Sequence, residues 1–391
     1  MKVTALVRAM GVKAVAIAAF VASPAAAQVA PVRGWEVGEP TAFSWSLMQP
    51  ADGERTSFES YDLWLWLDDG RYIKLQYVVT SMRAGFLRVA NQGSLRATLA
   101  PLGQTTDDES GAAEGVFRAR RGFSGPDGEW RASSDRFELT FDDCFFRGND
   151  QAFEIALLDD RLKIEATLEM QVPPWQPGDG RTQFGWDSSV TSIEQVLPRF
   201  TVTGRVSAKR RKADPENWVS VTGVGYGEHR RTSALPSTVG RRWMGFRAMR
   251  SDGLTVVANQ MLTADAYGGG ELGWALVALD GIPVFASNRL SVRAIDVRTD
   301  RSGSSTYQVP YAYRLVAESG EDRVELTFTE SALWLRENPL ANVSALLRGL
   351  LADALAPMDY DLSGRYDGTV RVGGSTATIS GRGWSTFSFP R

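Results

Sequence analysis

Tyr61-Asp-Leu-Trp-Leu-Trp-Leu67, Asp68-Asp-Gly70, Arg71-Tyr-Ile-Lys-Leu-Gln-Tyr-Val-Val79 is the stretch that decides the fold. Two runs rich in aromatic and β-branched residues flank a three-residue turn signal ending in glycine, and that pattern reads as a β-hairpin. The same unit recurs outward in both directions. Phe137 to Phe141, Phe153 to Leu157, Leu162 to Met170 and Phe200 to Val206 read as strands in the first half. In the second half the readings are Arg242 to Met249, Leu254 to Leu262, Gly273 to Leu279, Leu290 to Val297, Tyr311 to Glu318 and Arg323 to Glu330. Many short strands at near-regular spacing point to an all-β barrel or sandwich architecture. One segment departs from it. Across Asn338 to Met358, Leu340, Val343, Leu346, Leu347, Leu350, Leu351 and Leu355 recur with a period near 3.6, which predicts an amphipathic helix ending at Pro357. Such a helix would pack on a barrel wall or close a barrel end, with a membrane-surface role as the alternative.

The amino-terminal segment has the three parts of a secretory signal peptide. Lys2, Arg8 and Lys13 supply positive charge, Ala14 to Val21 is apolar, and Ala25-Ala26-Ala27 offers a small-residue cleavage site. The apolar run is too short for the ~20 residues of a spanning helix. We therefore expect residues 1–27 to be a signal peptide and the mature chain to be exported, periplasmic or secreted, with at most transient membrane contact. The chain carries a net charge of −3, and loss of three basic residues with the leader makes the mature chain more acidic. That balance argues against a nucleic-acid partner. The basic run Lys209-Arg210-Arg211-Lys212 stands beside Asp214 and Glu216 and reads as a solvated loop.

One cysteine, Cys144, and one histidine, His229, are present in the whole chain. No intramolecular disulfide is available, and most protein zinc sites are excluded because they need several Cys or His ligands. No metal and no cofactor is expected. Cys144 lies against Phe145 and Phe146 and reads as a buried thiol. Any mechanism that uses histidine must use His229.

The chain is long enough for two domains. The Pro- and Gly-rich loop Pro173-Pro-Trp-Gln-Pro-Gly-Asp-Gly180, followed by Leu197-Pro198-Arg199, places the expected boundary at 197/198. The expected units are thus 28–197 and 198–391. Just beyond it comes Thr222-Gly-Val-Gly-Tyr-Gly-Glu-His-Arg-Arg231. Glycines at alternate positions strip one face of a strand of side chains, which permits close approach by a neighbour. Glu228 and His229 follow. Adjacent strand residues point to opposite faces, so the two form an acid–base pair only if a bulge breaks the alternation. Trp243 and Asn259 lie a little further along and could line a pocket with them.

The order of these segments resembles the tandem lipocalin-like superfamily that holds the eukaryotic survival-factor proteins, the AttH-like bacterial proteins and carotenoid 1,2-hydratase (hydroxyneurosporene synthase). Gly223-Val-Gly-Tyr-Gly-Glu-His229 resembles the Gly-x-Gly-Tyr-x-(Asp/Glu)-His signature. Arg242-Trp-Met-Gly245 resembles the aromatic-glycine strand that follows it, and Trp175 to Gly185 with Leu197-Pro-Arg199 resembles the survival-factor branch. The resemblance implies two lipocalin-like antiparallel β-barrel domains, with an apolar site between or inside them. An eight-stranded barrel can hold one small ligand. It also implies an apolar lipid or isoprenoid ligand, bound by Tyr226, Glu228, His229, Trp243 and Asn259. In the hydratase branch it implies Glu228 and His229 as catalytic residues of an isoprenoid hydratase or cyclase. The sequence departs from that branch where Arg230-Arg231-Thr232 follows His229. It departs again where Asn259 stands at the position of a carboxylate, since Asn cannot serve as an acid. Binding or carriage of an apolar ligand is therefore the leading expectation. Isoprenoid hydration is the alternative, and a structural role in export is a third.

Overall fold

The computed structural model describes residues 30, 32–33, 43–51, 56–84, 87–102, 106–107, 115–123, 128–130, 136–186, 188–301, 306–338 and 357–390. The expected signal peptide and nearly all of the expected 338–358 helix lie outside the described residues. The fold is all-β. The hairpin read from the sequence is present as Ser57–Leu67 and Arg71–Ala84, with Tyr61 opposite Tyr77 and Leu65 opposite Ile73. Gly70 takes the left-handed conformation, φ 80°, that closes its turn.

Two antiparallel sheets carry the chain. The first runs from Phe117–Phe123 through Leu87–Pro101, Arg71–Ala84 and Ser57–Leu67 to Trp218–Thr232. It continues through Val190–Ala208, Leu162–Val172 and Ala152–Leu158 to the short strands ending at Gly128–Trp130. It curls on itself around an aromatic core that includes Tyr61, Tyr77, Phe137, Phe141, Phe146 and Phe200. Tyr77 hands its hydroxyl proton across that core to the Phe145 carbonyl at 2.8 Å.

The second sheet takes Ile282–Ser287, Glu271–Leu279, Thr255–Thr263, Gly240–Met249, Ser375–Phe389, Met358–Val372, Asp322–Glu337, Tyr307–Ser319 and Arg289–Asp300 in that spatial order. Its two end strands are consecutive in the chain, and the Ser287 hydroxyl of one donates to the Glu318 carbonyl, on the strand beside the other, at 2.5 Å. Its core includes Phe246, Tyr313, Phe328, Leu362 and Phe387. One short piece of the first half, Thr106–Asp107, pairs in parallel with Leu335 and Arg336 of this sheet.

Sheet membership corrects the expected division at 197/198. Leu197 and Pro198 lie within the strand Val190–Ala208, and the strand after it, Trp218–Thr232, pairs with Ser57–Leu67 in the first sheet. The changeover between sheets falls in residues 233–239. Pro198 is tolerated in a central strand because the ladder slips by one residue between Leu197 and Phe200, and a bulge makes no demand for the missing N–H. Arg199, extruded at that bulge, donates to the Arg250 carbonyl at 3.0 Å and so ties the two sheets together.

Between the sheets lies a third cluster. Trp64, Trp66, Trp175, Trp274, Trp334 and Trp384, half of the chain's twelve tryptophans, meet there with Tyr72 and Tyr226. Trp66 stacks on Trp384 with centroids 4.3 Å apart, and Trp175 packs on Trp274 at 4.9 Å. Full burial of an aromatic side chain contributes roughly 2–3 kcal/mol, so this seam is a core in its own right. Cys144 is buried as expected. Burial pushes its thiol up to about 11, which keeps it protonated and unreactive.

Candidate functional site

The glycine-rich segment is the strand Trp218–Thr232, and its two faces serve different barrels. The glycine face points into the first barrel. A Cβ on Gly225 would lie 2.2 Å from the Phe200 ring, and one on Gly227 would lie 2.8 Å from Leu63, so the bare face is what lets the core close against this strand. His229 shares that face. Tyr226, Glu228 and Arg230 project from the other face into the seam.

Regular alternation thus separates Glu228 from His229, and each has its own partners. Glu228 is fully buried between the two sheets. Its Oε2 accepts from Tyr226 at 2.9 Å, from Arg247 at 2.9 Å and from Asn259 at 3.1 Å, while Arg230 binds its Oε1. Burial alone would raise its pKa. The guanidinium groups of Arg230 and Arg247, together with the two neutral hydrogen bonds, overcome that and hold it below the usual carboxylate value. Glu228 is therefore an anchored anion and not a poised acid. Arg247 is itself buried. It lies 4.3 Å from the Tyr226 ring centre and 4.5 Å from that of Trp64, and it donates to Thr386 at 2.9 Å.

Asn259 donates to Glu194 at 2.6 Å as well as to Glu228. The amide gives a donor to both carboxylates without carrying charge, which an acid there could do only while protonated. The acid that the sequence lacks at position 259 stands nearby as Glu194, whose pKa burial raises.

His229 lies inside the first barrel, stacked on Tyr61 with centroids 4.4 Å apart and planes 8° from parallel. Its Nε2 is 2.7 Å from Glu59 Oε1 and its Nδ1 is 3.1 Å from Gln195 Oε1. The Gln195 amide donates to the Ser44 carbonyl and to Gln176 Oε1, so its oxygen faces the ring and Nδ1 carries hydrogen. One proton then occupies the Nε2–Glu59 contact, whichever atom owns it. Burial lowers the imidazole pKa, and the opposing pull of Glu59 does not fully restore it. Glu59 is also held by the Tyr61 hydroxyl at 3.0 Å and by the Ala51 N–H at 3.0 Å.

Among the described residues, aromatic and aliphatic side chains pack the interior of each barrel. The void beside His229 and Leu63 is about 10 Å³, room for one water at most. A cavity of about 450 Å³ lies between the sheets against the outer face of the first barrel, and a more open one of about 530 Å³ lies on the second sheet beside Leu290 and Val316. Phe58, Val78, Leu235, Val239, Trp243 and Phe389 give the first an apolar wall, and Glu59, Asp62, Gln76, Arg96, Arg230 and Arg231 give it a polar one. Asp62 accepts from Gln76 at 2.5 Å and from Ser60 at 2.8 Å. Burial, then the charge of Glu228, pushes it up to about 6.

Of the expected site residues, Tyr226, Glu228 and Asn259 come together in the seam, Trp243 lines the cavity wall, and His229 is turned away behind Glu59. Among the described residues no group of three or more His, Cys, Asp or Glu side chains could hold a metal ion. Sequence reasoning passed over Glu59, Asp62, Glu194 and Arg247. The signal for them was a charged residue inside an otherwise apolar or aromatic strand.

This arrangement of sheets has solved counterparts. An AttH-like protein (NE1406) of Nitrosomonas europaea is 15% identical, with TM-score 0.59, over 92% of this chain and 100% of its own. CghA in complex with Sch210972 is 10% identical, with TM-score 0.55, over 92% of this chain and 95% of its own. Kievitone hydratase of Nectria haematococca is 14% identical, with TM-score 0.53, over 91% of this chain and 97% of its own. At such identities the likeness establishes the shared lipocalin-like fold. No family model matches the sequence, and no curated protein does.

Proposed function

We propose that the protein binds an apolar small molecule, a lipid or isoprenoid with one polar end, in the cavity between its two barrels, and that it does so as an exported carrier. The observation that carries this reading is the cavity itself. At about 450 Å³, with one apolar wall and one polar wall, it falls within the range of small-molecule sites, where apolar lining supplies affinity and a few polar groups set orientation. Each buried CH₂ contributes roughly 0.8 kcal/mol, so about ten methylenes laid along Phe58, Val78 and Trp243 supply the roughly 8 kcal/mol of micromolar binding before association costs. Trp243 is the ligand contact that remains from the expected set. Tyr226, Glu228 and Asn259 support the cavity floor from behind through Arg230. Native mass spectrometry with organic extraction, on mature protein from its own compartment, is expected to find one apolar molecule per chain. Empty protein that also takes up no lipid or isoprenoid would overturn the reading.

A second reading, a hydratase or cyclase acting on an isoprenoid, is favoured by one specific observation. Asp62, with its pKa at about 6, borders the cavity, so a fraction of it is protonated near neutral pH and could donate a proton to a bound alkene. In that reading Asp62 takes the role first assigned to Glu228. Turnover of an isoprenoid that vanishes in Asp62→Asn while ligand binding persists would establish it. Turnover retained in Asp62→Asn would remove it.

A further inference from the structure

Resting on the binding reading above, we infer that the cavity selects a ligand whose polar end is a carboxylate, and that Arg96 is the residue that reads it. The argument is a charge balance over the polar wall. Glu59 is taken up by His229 and the Tyr61 hydroxyl, with Arg231 3.6 Å away. Asp62 is taken up by Gln76 and Ser60, and Asp359 by the Ser388 hydroxyl. Arg230 is bound to Glu228, and Arg231 donates to the Gln49 carbonyl at 2.9 Å. Arg96 lines the same wall, half-buried, and among the described residues it has neither a carboxylate within ion-pair distance nor a hydrogen-bond partner for its side chain. A guanidinium held at a cavity wall without a counter-ion is a preformed carboxylate receptor, because its fork matches the two oxygens of that group.

The strand register places Arg96 where a ligand can use it. Glu228, Asp62, Gln76 and Arg96 stand directly opposite one another across four neighbouring strands and form one polar row on the outer face of the first barrel. Glu228 and Asp62 make its acidic end and Arg96 its basic end, and Arg120, opposite Arg96 on the next strand, has Glu337 as its carboxylate at 3.7 Å. Asp62 and Arg96 are two strand spacings apart, about 10 Å. A carboxylate on Arg96 therefore keeps clear of the acidic end, and the apolar body extends over Val78 toward Phe58 and Trp243. Among the described residues this one guanidinium of the wall has no carboxylate, and it balances one negative charge. A doubly charged phosphate would leave a charge uncompensated at the wall it shares with Asp62 and Glu59, so the head group is a carboxylate and not a phosphate.

The test is calorimetric titration of the mature protein with two matched pairs, dodecanoate with dodecanol and retinoate with retinol, and with dodecyl phosphate. We expect each acid to bind at least tenfold more tightly than its alcohol and than the phosphate. In Arg96→Gln the acid should fall to the level of the alcohol while the alcohol is unchanged, and Arg96→Lys should restore part of the difference. Equal binding of acid and alcohol by the wild type, or a preference for acid that survives in Arg96→Gln, would overturn the assignment of Arg96 and leave the cavity's binding role standing. A preference for the phosphate would overturn the carboxylate. Failure of every probe would overturn both this inference and the binding reading.

Discussion

The contact between the two barrels has a sealed part and an open part, and both are rich in charge. In the sealed part Arg247, Glu228 and Asn259 are buried beside Trp64 and Tyr226, Glu194 and Arg230 are half-buried at its border, and both carboxylate oxygens of Glu228 have donors. Beside it, Lys74 reaches Asp361 at 3.3 Å and Glu337 at 3.6 Å, and Asp361 also accepts from Tyr72 at 2.9 Å. Burial alone would depress the ammonium of Lys74, but the two carboxylates outweigh it and hold the group above its ordinary value. In the open part a cavity of about 450 Å³ brings Asp62 and Arg96 to an unfilled space. The difference teaches that buried charge alone does not mark a site. The satisfied network joins the two sheets, and under the proposed reading the ligand meets the residues that line the cavity.

The largest effect that can test this contrast lies in the sealed part. Arg247→Met should destabilise the protein by about 3–5 kcal/mol, because Glu228 is left buried with part of its compensation gone. Urea denaturation measures it, and pairing the change with Glu228→Gln should recover part of the loss. A loss below about 1 kcal/mol would mean that the sealed network is not what holds the barrels together.

Asp62 should behave in the opposite sense. Its folded pKa is raised, so the folded state holds the proton more tightly than the unfolded chain. Its contribution to stability is fully present below pH 4 and is lost as pH rises through about 6. A rise from the ordinary 3.8 to about 6 corresponds to about 3 kcal/mol. Asp62→Asn should therefore be more stable than the wild type at pH 8 by up to about 3 kcal/mol, and little changed at pH 4. The difference between the two proteins isolates Asp62 from His229, whose lowered pKa acts with the opposite sign. A variant less stable than the wild type at pH 8 would place Asp62 among the structural charges.

The smallest effect on stability belongs to the cavity wall. Trp243→Ala should cost about 2 kcal/mol or less, since the ring is only partly buried, yet it should weaken binding of an apolar probe at least tenfold. Fluorescence titration reads the second quantity. Unchanged binding would move the ligand away from this wall.

Much of the fold was legible because the strands alternate or run apolar between clear turn residues. Asp68-Asp69-Gly70 announced its hairpin, and the bare glycine face of Gly223 to Gly227 announced a close neighbour, which is Phe200. The division of the chain was not legible. Pro198 reads as a boundary by its chemistry, and only the ladder shows that a bulge absorbs it. Of the residues expected to act together, Tyr226, Glu228 and Asn259 meet in the seam and His229 lies on the opposite face of its strand. The sequence shows that residues 228 and 229 alternate, but not that the inward face belongs to a filled core and the outward one to the seam. Arg247, Asp62 and Glu59 belong to no motif, and their one local signal is a charge set in an apolar or aromatic strand. Their partners come from strands distant in sequence, as in the bond between Arg247 and Thr386, and strand pairing is what brings such residues together.

The parallel pairing of Thr106–Asp107 with Leu335 and Arg336 bears on modularity. A piece of the first half is a strand of the second sheet, and its partner arrives more than half the chain later. The halves are therefore interleaved and not exchangeable units. Cutting the chain at the changeover in residues 233–239 would leave each fragment with an unmatched edge, and swapping one barrel for that of a relative would break a pairing that neither barrel contains alone. Contacts this distant in sequence also slow assembly, since the loop must close before the pairing contributes. The second sheet is completed only when the carboxy-terminal strands have met a segment made long before them.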